Sequence, residues 1–318
     1  MLNKTILLTG ATGFIGSWLL KKLLALDSKV VIIVRDKTKI SKDLLKSKNL
    51  KIYEATIQDY DSICQIIKNN NFDLIFHLAS KNTNYGNNFD ILETFDTIIK
   101  GTYNIFEACR LHGQKKLKII LTSSREVYAE KNEDNFDSNS YHPYEISKRS
   151  VDLIVKSYNQ IFGLNIISVR PPNIYGGNDY NWDRIVPGTI KSIINGERPI
   201  IRTNGSLLRS YLYIEDFITA MILIAEKGII NNDSNNIYDF DELELYSTLE
   251  IVEKIISISG NNLEPKIENL SKDEKFKIEP NIQYSIKVLG WNPLYSTDKG
   301  LKKTIDWYNN NIVPTQKS

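Results

Sequence analysis

The feature that constrains this chain most is a glycine-rich turn near the N-terminus, between a short apolar run and an amphipathic stretch. The apolar run Ile6–Leu8 is followed by Gly10, Gly13 and Gly16, and then by apolar residues at helical spacing. The short run predicts a strand, and the change of period predicts a helix after the turn. Glycines here permit a sharp turn, a close approach of the backbone to a ligand, and tight helix–strand packing. Free N–H groups and the positive end of the helix dipole then suit the pyrophosphate of a dinucleotide.

Short apolar runs recur along the first half of the chain, with helical patterns between them. They are Ile6–Leu8, Val30–Val34, Lys51–Tyr53, Leu74–Leu78, Lys118–Thr122 and Leu164–Val169. This alternation predicts an α/β fold of the Rossmann type, a doubly wound parallel sheet with helices on both faces. Ligands of such sheets bind outside the carboxyl ends of the strands, so the residues that follow each run are the candidates for a site.

The rhythm changes after Asn173, where glycine and proline punctuate shorter segments. We therefore predict two lobes. Residues 1–172 and 207–236 form the dinucleotide-binding Rossmann lobe, and residues 173–206 and 237–318 form a smaller C-terminal α/β lobe for the substrate.

Composition restricts the classes of partner. A net charge of +2 over 318 residues gives no support to a nucleic-acid or anionic-membrane partner. The two cysteines, Cys64 and Cys109, are too few for a disulfide framework, which favours a reducing cytoplasm. The three histidines are scattered, so the sequence predicts no metal site. The N-terminus lacks a signal-peptide pattern, and the apolar stretch Phe217–Ile230 is too short and too charged to cross a membrane.

One pattern indicates acid–base chemistry. Tyr144 and Lys148 are four residues apart, which places a phenol and an ammonium on one face of a helix. A nearby cation favours the phenolate form and would let the tyrosine act near neutral pH. The pattern also occurs at Tyr295 and Lys299, but that copy falls in what reads as a surface loop. We therefore predict that Tyr144, which follows the strand ending at Ser124, is the functional copy.

Taken together, the motifs resemble those of the extended short-chain dehydrogenase/reductases, the NAD-dependent epimerase/dehydratase family acting on nucleotide sugars. The matching segments, in this order, are residues 9–16 (TGATGFIG), 77–79 (HLA), 122–128 (TSSREVY), Tyr144 with Lys148, 170–176 (RPPNIYG), 209–216 (RSYLYIED) and 289–293 (LGWNP). The resemblance covers nearly the whole chain. It implies that a nucleoside diphosphate sugar binds to the smaller lobe and that two copies form a homodimer through helices of the Rossmann lobe.

The resemblance also implies roles for single residues. Tyr144 would exchange a proton with a sugar hydroxyl or ketone, Ser124 would hydrogen-bond the same oxygen, and Lys148 would hold the nicotinamide ribose. Hydride would pass between the sugar carbon, most often C4, and the nicotinamide. Asn173 and Arg209 would contact the diphosphate end of the substrate. The positions that match cofactor contacts are Gly10, Gly13, Phe14, Ile15, Gly16, Arg35, Asp36, Ile57, Leu78, Ala79, Ser80, Tyr144, Lys148 and Pro171.

Departures from the family pattern bear on cofactor choice. Relatives that use NAD usually end the second strand with an acidic residue, whereas this chain has Arg35 there, followed by Asp36. An arginine suits the 2′-phosphate of NADP, so the expected cofactor is NAD(P)(H), with Arg35 favouring NADP(H). Thr56 and Ile98 replace an aspartate and an asparagine that are common at their positions.

The segment after Ser124 bears on the reaction type. Glu126 matches the glutamate of sugar 4,6-dehydratases, but Arg125 stands where many of them carry a proton-donating acid, and arginine does not donate a proton near neutral pH. The first hypothesis is therefore a nucleotide-sugar 4-ketosugar reductase/dehydrogenase or 4-epimerase. The alternatives are a 4,6-dehydratase that uses Glu126 and, from another class, a non-catalytic NAD(P)-binding sensor or scaffold.

Overall fold

A computed structural model describes residues 3–81, 90–113, 116–128, 142–228, 236–240, 244–269 and 282–312. Within these residues the chain divides into two compact units. The first unit comprises Met1–Arg170, Ile218–Asp239 and Pro280–Trp291, and the second comprises Pro171–Phe217, Phe240–Glu279 and Asn292–Ser318.

The described part of the first unit contains a seven-stranded sheet in the order β11-β6-β5-β4-β1-β2-β3, and all of its pairings are parallel. Its strands are β1 (Thr5–Thr9), β2 (Lys29–Val34), β3 (Leu50–Glu54), β4 (Leu74–His77), β5 (Lys118–Thr122), β6 (Asn165–Arg170) and β11 (Ile237–Asp239). The strand order changes direction between β1 and β4, which is where ligands of doubly wound sheets bind. The predicted parallel sheet is confirmed.

Helices cover both faces of this sheet. They are α1 (Phe14–Ala25), α2 (Lys42–Leu45), α3 (Tyr60–Lys68), α4 (Ile91–Phe95), α5 (Gly101–His112), α6 (Pro143–Phe162), α8 (Ile214–Lys227), which begins in the second unit, and α10 (Ile282–Leu289); a π-helical turn, Asp96–Lys100, joins α4 to α5. On one face, Leu7, Ile75 and Ile119 pack with residues of α3, α5 and α6 in a single buried cluster. The neighbouring residues Leu8, Phe76 and Ile120 point to the other face and are also buried. Burial on both faces explains why the strands read as continuous apolar runs.

Within the described residues, the second unit contains three two-stranded sheets, β7 with β10, β9 with β12 and β8 with β13. The strands are β7 (Asn173–Tyr175), β8 (Ile200–Ile201), β9 (Leu208–Arg209), β10 (Tyr211–Tyr213), β12 (Tyr246–Ser247) and β13 (Lys266–Ile267), and the helices are α7 (Ile185–Ile194), α9 (Thr248–Ile258) and α11 (Thr297–Asn311). A capping box starts α9, since the Ser247 hydroxyl accepts from the Glu250 backbone and the Glu250 carboxylate accepts from the Ser247 backbone.

The first segment of the first unit ends at Arg170 rather than at residue 172, and three further segments lie in a different unit from the predicted one. Residues 207–217 lie in the second unit because β9 and β10 pair with β12 and β7 there. β11 and α10 belong instead to the first unit, since β11 extends the main sheet beside β6 and α10 packs against β11. No helix in the described ranges combines the length and the apolar character that a membrane crossing needs.

Candidate active site

The glycine-rich turn after β1 is shaped by contacts that leave no room for side chains. Gly10 has φ +73°, and a Cβ on it would lie 2.7 Å from the backbone nitrogen of Ala79. A Cβ on Gly16 would collide with the carbonyl oxygen of Gly10. That carbonyl accepts a hydrogen bond from the Gly13 N–H (3.0 Å), and Gly13 is the N-cap of α1. The turn therefore presents backbone at the positive end of α1, with no acidic side chain in the first helical turn, and it fits a dinucleotide pyrophosphate.

A buried hydrogen-bond chain holds the residues after β4 beneath this turn. The Thr102 hydroxyl donates to the carbonyl of Ile98 (2.5 Å), so its oxygen accepts from Nε2–H of His77 (2.9 Å). Nδ1 of His77 then accepts from the Thr9 hydroxyl (2.7 Å), which in turn accepts from the Ala79 N–H (3.2 Å). This order assigns the neutral Nε2–H tautomer. Complete burial and the charge of Lys148 lower the pKa of His77 to about 3, which agrees with a neutral ring.

Sequence reasoning noted His77 only as part of a motif and missed this role. The histidine fixes the backbone of Ala79 against Gly10 and is not exposed to a ligand. The available signal was a polar residue at the end of an otherwise apolar strand, directly before three predicted cofactor contacts.

The other predicted cofactor residues of the first unit surround the same end of the sheet. Phe14 and Ile15 begin α1 and are half-buried, Leu78 is half-buried, and Ser80 is exposed. Ile57 is a core residue, because its side chain packs where a Cβ on Gly101 would lie. The cofactor contacts predicted for these residues remain proposals.

Arg35 and Asp36 follow β2, as predicted, and each already has a partner. Nη1 of Arg35 lies 3.0 Å from Oε1 of Glu93, and Lys81 forms an ion pair with the same carboxylate. Oδ1 of Asp36 accepts from the backbone N–H (2.9 Å) and hydroxyl (2.6 Å) of Thr38, and these bonds lower the pKa of Asp36. Sequence reasoning did not identify Glu93 or Lys81.

Tyr144 and Lys148 lie on α6, whose N-terminus is defined by Pro143 and by His142. The His142 ring is the N-cap and accepts from the Tyr144 N–H through Nδ1 (3.3 Å). Nζ of Lys148 lies 5.7 Å from the centre of the Tyr144 ring, so the predicted common helix face is present. Tyr144 is half-buried and packs against the main core cluster.

The Lys148 ammonium is completely enclosed. It donates to the carbonyl of Thr122 at the end of β5 (3.0 Å). Burial lowers the pKa of Lys148 to about 8, and the Asp152 carboxylate partly opposes that shift. Asp152 in turn accepts from Nε of Arg170 (3.0 Å) and from the Ser168 hydroxyl (2.9 Å), which anchors α6 to β6. The lysine is therefore a desolvated cation that is bonded to the end of β5 and lies on a helix that Asp152 anchors to β6.

The segment after β5 is polar and partly buried. The Ser123 N–H donates to the carbonyl of Val169 (2.7 Å) and continues the pairing of β5 with β6. Ser124 and Arg125 are half-buried, and a 3₁₀ turn spans Arg125–Tyr128. The side chain of Glu126 lies outside the described part of the structure, so its predicted role stays a prediction. The Thr122 and Ser123 hydroxyl oxygens are buried and have no hydrogen-bond partner among the described residues.

The remaining predicted site residues lie in the second unit. Pro171 is its first residue, after β6. Asn173 begins β7, and its N–H donates to the carbonyl of Ser210 (3.3 Å), the residue after Arg209. The β7–β10 pairing therefore brings Asn173 and Arg209, the two predicted substrate contacts, to neighbouring positions.

Comparison with known proteins identifies the family. The model of the NAD dependent epimerase/dehydratase family matches residues 6–237. The chain belongs to this family. Membership confirms the resemblance drawn from the motifs, and it places the chain in a class of enzymes rather than of sensors or scaffolds.

Two curated relatives of this family member span nearly all of its length. A trifunctional UDP-glucose 4,6-dehydratase/UDP-4-keto-6-deoxy-D-glucose 3,5-epimerase/UDP-4-keto-L-rhamnose-reductase of Arabidopsis thaliana is 29% identical over 97% of this chain and 47% of its own length. A dTDP-D-glucose 4,6-dehydratase of Dictyostelium discoideum is 31% identical over 96% of this chain and 82% of its own. The chain thus spans about half the length of the plant relatives that it matches.

Solved structures support the fold. The UDP-glucose 4-epimerase of Thermotoga maritima, solved with UDP-glucose, superimposes with a TM-score of 0.84. The two sequences are 24% identical, and the alignment covers 96% of this chain and 99% of the epimerase. At this identity the match confirms the predicted fold class.

Proposed function

We propose that the chain catalyses NAD(P)-dependent hydride transfer at C4 of a nucleoside diphosphate sugar, as a 4-epimerase or a 4-ketosugar reductase/dehydrogenase. One observation carries the proposal: a phenol and a completely buried ammonium share one face of α6, with Nζ 5.7 Å from the ring centre. That ammonium is also close enough to lower the pKa of His77, the residue that holds Ala79 under the glycine-rich turn. Acid–base residues and the dinucleotide turn therefore meet at one end of the sheet.

The chain's own groups account for the proton transfer. With a pKa of about 8, Lys148 is mostly protonated at pH 7, and its charge favours the phenolate of Tyr144. The phenolate would take the proton of the sugar hydroxyl, and the Ser124 hydroxyl would hydrogen-bond the same oxygen. Nicotinamide, when bound, supplies hydride exchange with the sugar carbon. In the second unit, Asn173 and Arg209 would hold the diphosphate.

A 4,6-dehydratase is the second candidate, and the relatives named above favour it. Such a reaction would pass a hydride from C4 to a bound nicotinamide, remove a proton from C5, expel the C6 hydroxyl as water and return the hydride to C6, with no net oxidation. Glu126 would be the base at C5. Against this reading, Arg125 stands where a proton donor for the leaving hydroxyl is expected, and a guanidinium does not supply that proton.

The purified chain, incubated with UDP-, dTDP-, GDP- and CDP-sugars and with their 4-keto derivatives, tests both candidates. A product of unchanged mass with inverted C4, or a 4-ketosugar consumed with a change in nicotinamide absorbance, supports the first candidate. A product lighter by one water supports the second, and Glu126→Gln would then abolish it. If every sugar is recovered unchanged, the proposal is wrong.

The dinucleotide that copurifies is the sharpest single observation. Tightly held NAD supports a reaction that recycles its cofactor, whereas a site that takes up NADPH supports a reductase. The predicted preference for NADP(H) rests on Arg35, whose guanidinium is already paired with Glu93.

We also propose a cytoplasmic homodimer. Both cysteines are free thiols, which supports a reducing compartment. Helix α6 packs against both α4 and α5, and the three helices expose large apolar side chains, namely Leu92, Tyr103, Leu111, Leu153, Ile161 and Phe162. Light scattering after size exclusion should give twice the chain mass for the native chain and a reduced mass for Leu153→Glu. A monomeric native chain would contradict the proposal.

A further inference from the structure

The carboxylate of Glu93, in the first unit, pairs with two cations. Nη1 of Arg35 lies 3.0 Å from Oε1, and Nζ of Lys81 meets Oε2. The Glu93 backbone is itself anchored, since its N–H donates to the Asp90 carboxylate that caps α4 (2.9 Å). The glutamate and Lys81 are about one-third exposed, whereas Arg35 is mostly exposed, so water screens the Arg35 pair more than the Lys81 pair.

The fold places this cluster where the adenosine ribose of a dinucleotide belongs. β2 neighbours β1, the strand that leads into the glycine-rich turn, and Arg35 directly follows β2. In doubly wound sheets the residue at this strand end contacts the 2′ position of that ribose. A 2′-phosphate bound here would pair with Arg35 and Lys81, but Glu93 already contacts both cations and offsets one of their two positive charges.

We propose that Glu93 is a built-in counter-ion that makes this site select against a 2′-phosphate, so that the chain prefers NAD(H) although Arg35 follows β2. The inference rests on the dinucleotide site of the proposed function. For NADP(H) to bind, Arg35 must either break its ion pair with Glu93 or contact Glu93 and the 2′-phosphate together. Those two groups are both negatively charged and repel each other. NAD(H) brings only a hydroxyl to this place and leaves both ion pairs intact. Asp36, whose Oδ1 is bonded to Thr38, is the nearby carboxylate for that hydroxyl.

The chain offers a matched control at the same edge of the sheet. Glu54, the last residue of β3, pairs with Lys37 (3.6 Å) and accepts a long bond from its N–H (3.4 Å). Glu54→Gln removes the same unit of charge as Glu93→Gln without releasing Arg35 or Lys81. A general electrostatic effect changes phosphate affinity in both variants, whereas the proposed one changes it in Glu93→Gln alone.

Calorimetric dissociation constants for NADH, NADPH, 5′-AMP and 2′,5′-ADP test the proposal without any turnover. In Glu93→Gln, NADPH and 2′,5′-ADP should bind about tenfold more tightly, while NADH and 5′-AMP change less than twofold. Tenfold corresponds to about 1.4 kcal/mol. The gain should shrink as salt is raised, because it comes from a partly exposed charge. Adding Arg35→Gln to Glu93→Gln should remove it.

A second variant keeps the test independent of how Glu93→Gln folds. Lys81→Met leaves Arg35 with Glu93 alone, so NADPH should bind about threefold more weakly, with NADH unchanged. Equal gains in NADPH affinity in Glu93→Gln and Glu54→Gln, or no gain in either variant, would overturn the inference. The proposed function would still stand if NADH binds. If neither dinucleotide binds to the native chain, the proposed function fails first.

Discussion

Two regions of this molecule carry the same sequence pattern, a tyrosine followed four residues later by a lysine. The two pairs differ in backbone geometry and in the surroundings of the lysine. Tyr144 and Lys148 lie on one helix, and the lysine is enclosed with a lowered pKa. Tyr295 lies before the first residue of α11, so it has no helical relation to Lys299. The cation over its ring is Lys303, 5.1 Å from the ring centre.

The charged groups beside the two lysines also differ. The Tyr295 hydroxyl donates to Oε2 of Glu215 (2.8 Å), which raises the pKa of Tyr295. Lys303 donates to the other oxygen of that carboxylate (2.9 Å), so its own pKa is raised and its charge is neutralised. At Lys148 the only hydrogen bond observed within the described residues is to the carbonyl of Thr122, and no carboxylate forms a hydrogen bond with the ammonium there. The comparison teaches that this pattern indicates acid–base chemistry only where the two residues share a helix and the lysine is desolvated.

The largest expected effect comes from removing each phenol. Tyr144→Phe should lower kcat about 10²- to 10⁴-fold, the range for loss of a general acid–base group, with cofactor affinity retained. Tyr295→Phe should keep kcat within about threefold. Steady-state kinetics on whichever nucleotide sugar is turned over, together with NADH binding, measure both. Comparable losses in the two variants would break the comparison.

The two lysines give the next largest difference. Lys148→Met should lower kcat about 10²-fold, because it removes the cation that favours the phenolate, whereas Lys303→Met should leave turnover nearly unchanged. For the free energy of unfolding at pH 7, the order of the two variants should be reversed. Loss of the desolvated charge is expected to be neutral or stabilising, while loss of the half-exposed Lys303 pair should cost no more than about 1 kcal/mol.

The pH dependence of unfolding checks the state of Lys148 directly. Its folded pKa of about 8 lies below the unfolded value of 10.5. Between these values the unfolded chain binds the proton more tightly, so the free energy of unfolding should rise with pH, by at most roughly 3 kcal/mol from this group. Denaturant melts from pH 7 to pH 10.5 should show this rise in the native chain and lack it in Lys148→Met. Identical slopes would show that the ammonium is solvated.

The smallest effect is expected at Glu215. Glu215→Gln removes the negative charge beside Tyr295, so the pKa of that phenol should fall toward its ordinary value. Turnover should not change, and stability should fall by about 1 kcal/mol or less, since the pairs are partly exposed. Carbon-13 NMR titration of labelled tyrosine, assigned with Tyr295→Phe, reports the shift. A pKa that stays raised would mean that burial, rather than Glu215, controls this phenol.

Much of the fold followed from local sequence. The six predicted runs all appear as strands of the main sheet, because residues buried on both faces leave an apolar signature of strand length. The seventh strand, β11, was expected in the smaller lobe and instead pairs with β6. Nothing within Ile237–Asp239 specifies its partner, because pairing depends on residues far away in the chain.

The sequence by itself determined the glycine-rich turn and the strands that surround it, and it predicted Tyr144 rather than Tyr295 as the functional tyrosine. These depend on short-range features: glycines where a Cβ would collide, apolar periodicity, and helical spacing. Only the tertiary structure decided the electrical state of the site. The burial of Lys148, the neutral tautomer of His77 and the pairing of Arg35 with Glu93 each join residues 25 or more positions apart. Desolvation and charge pairing act through space, so the sequence predicted which residues carry the chemistry but not the charges that surround them.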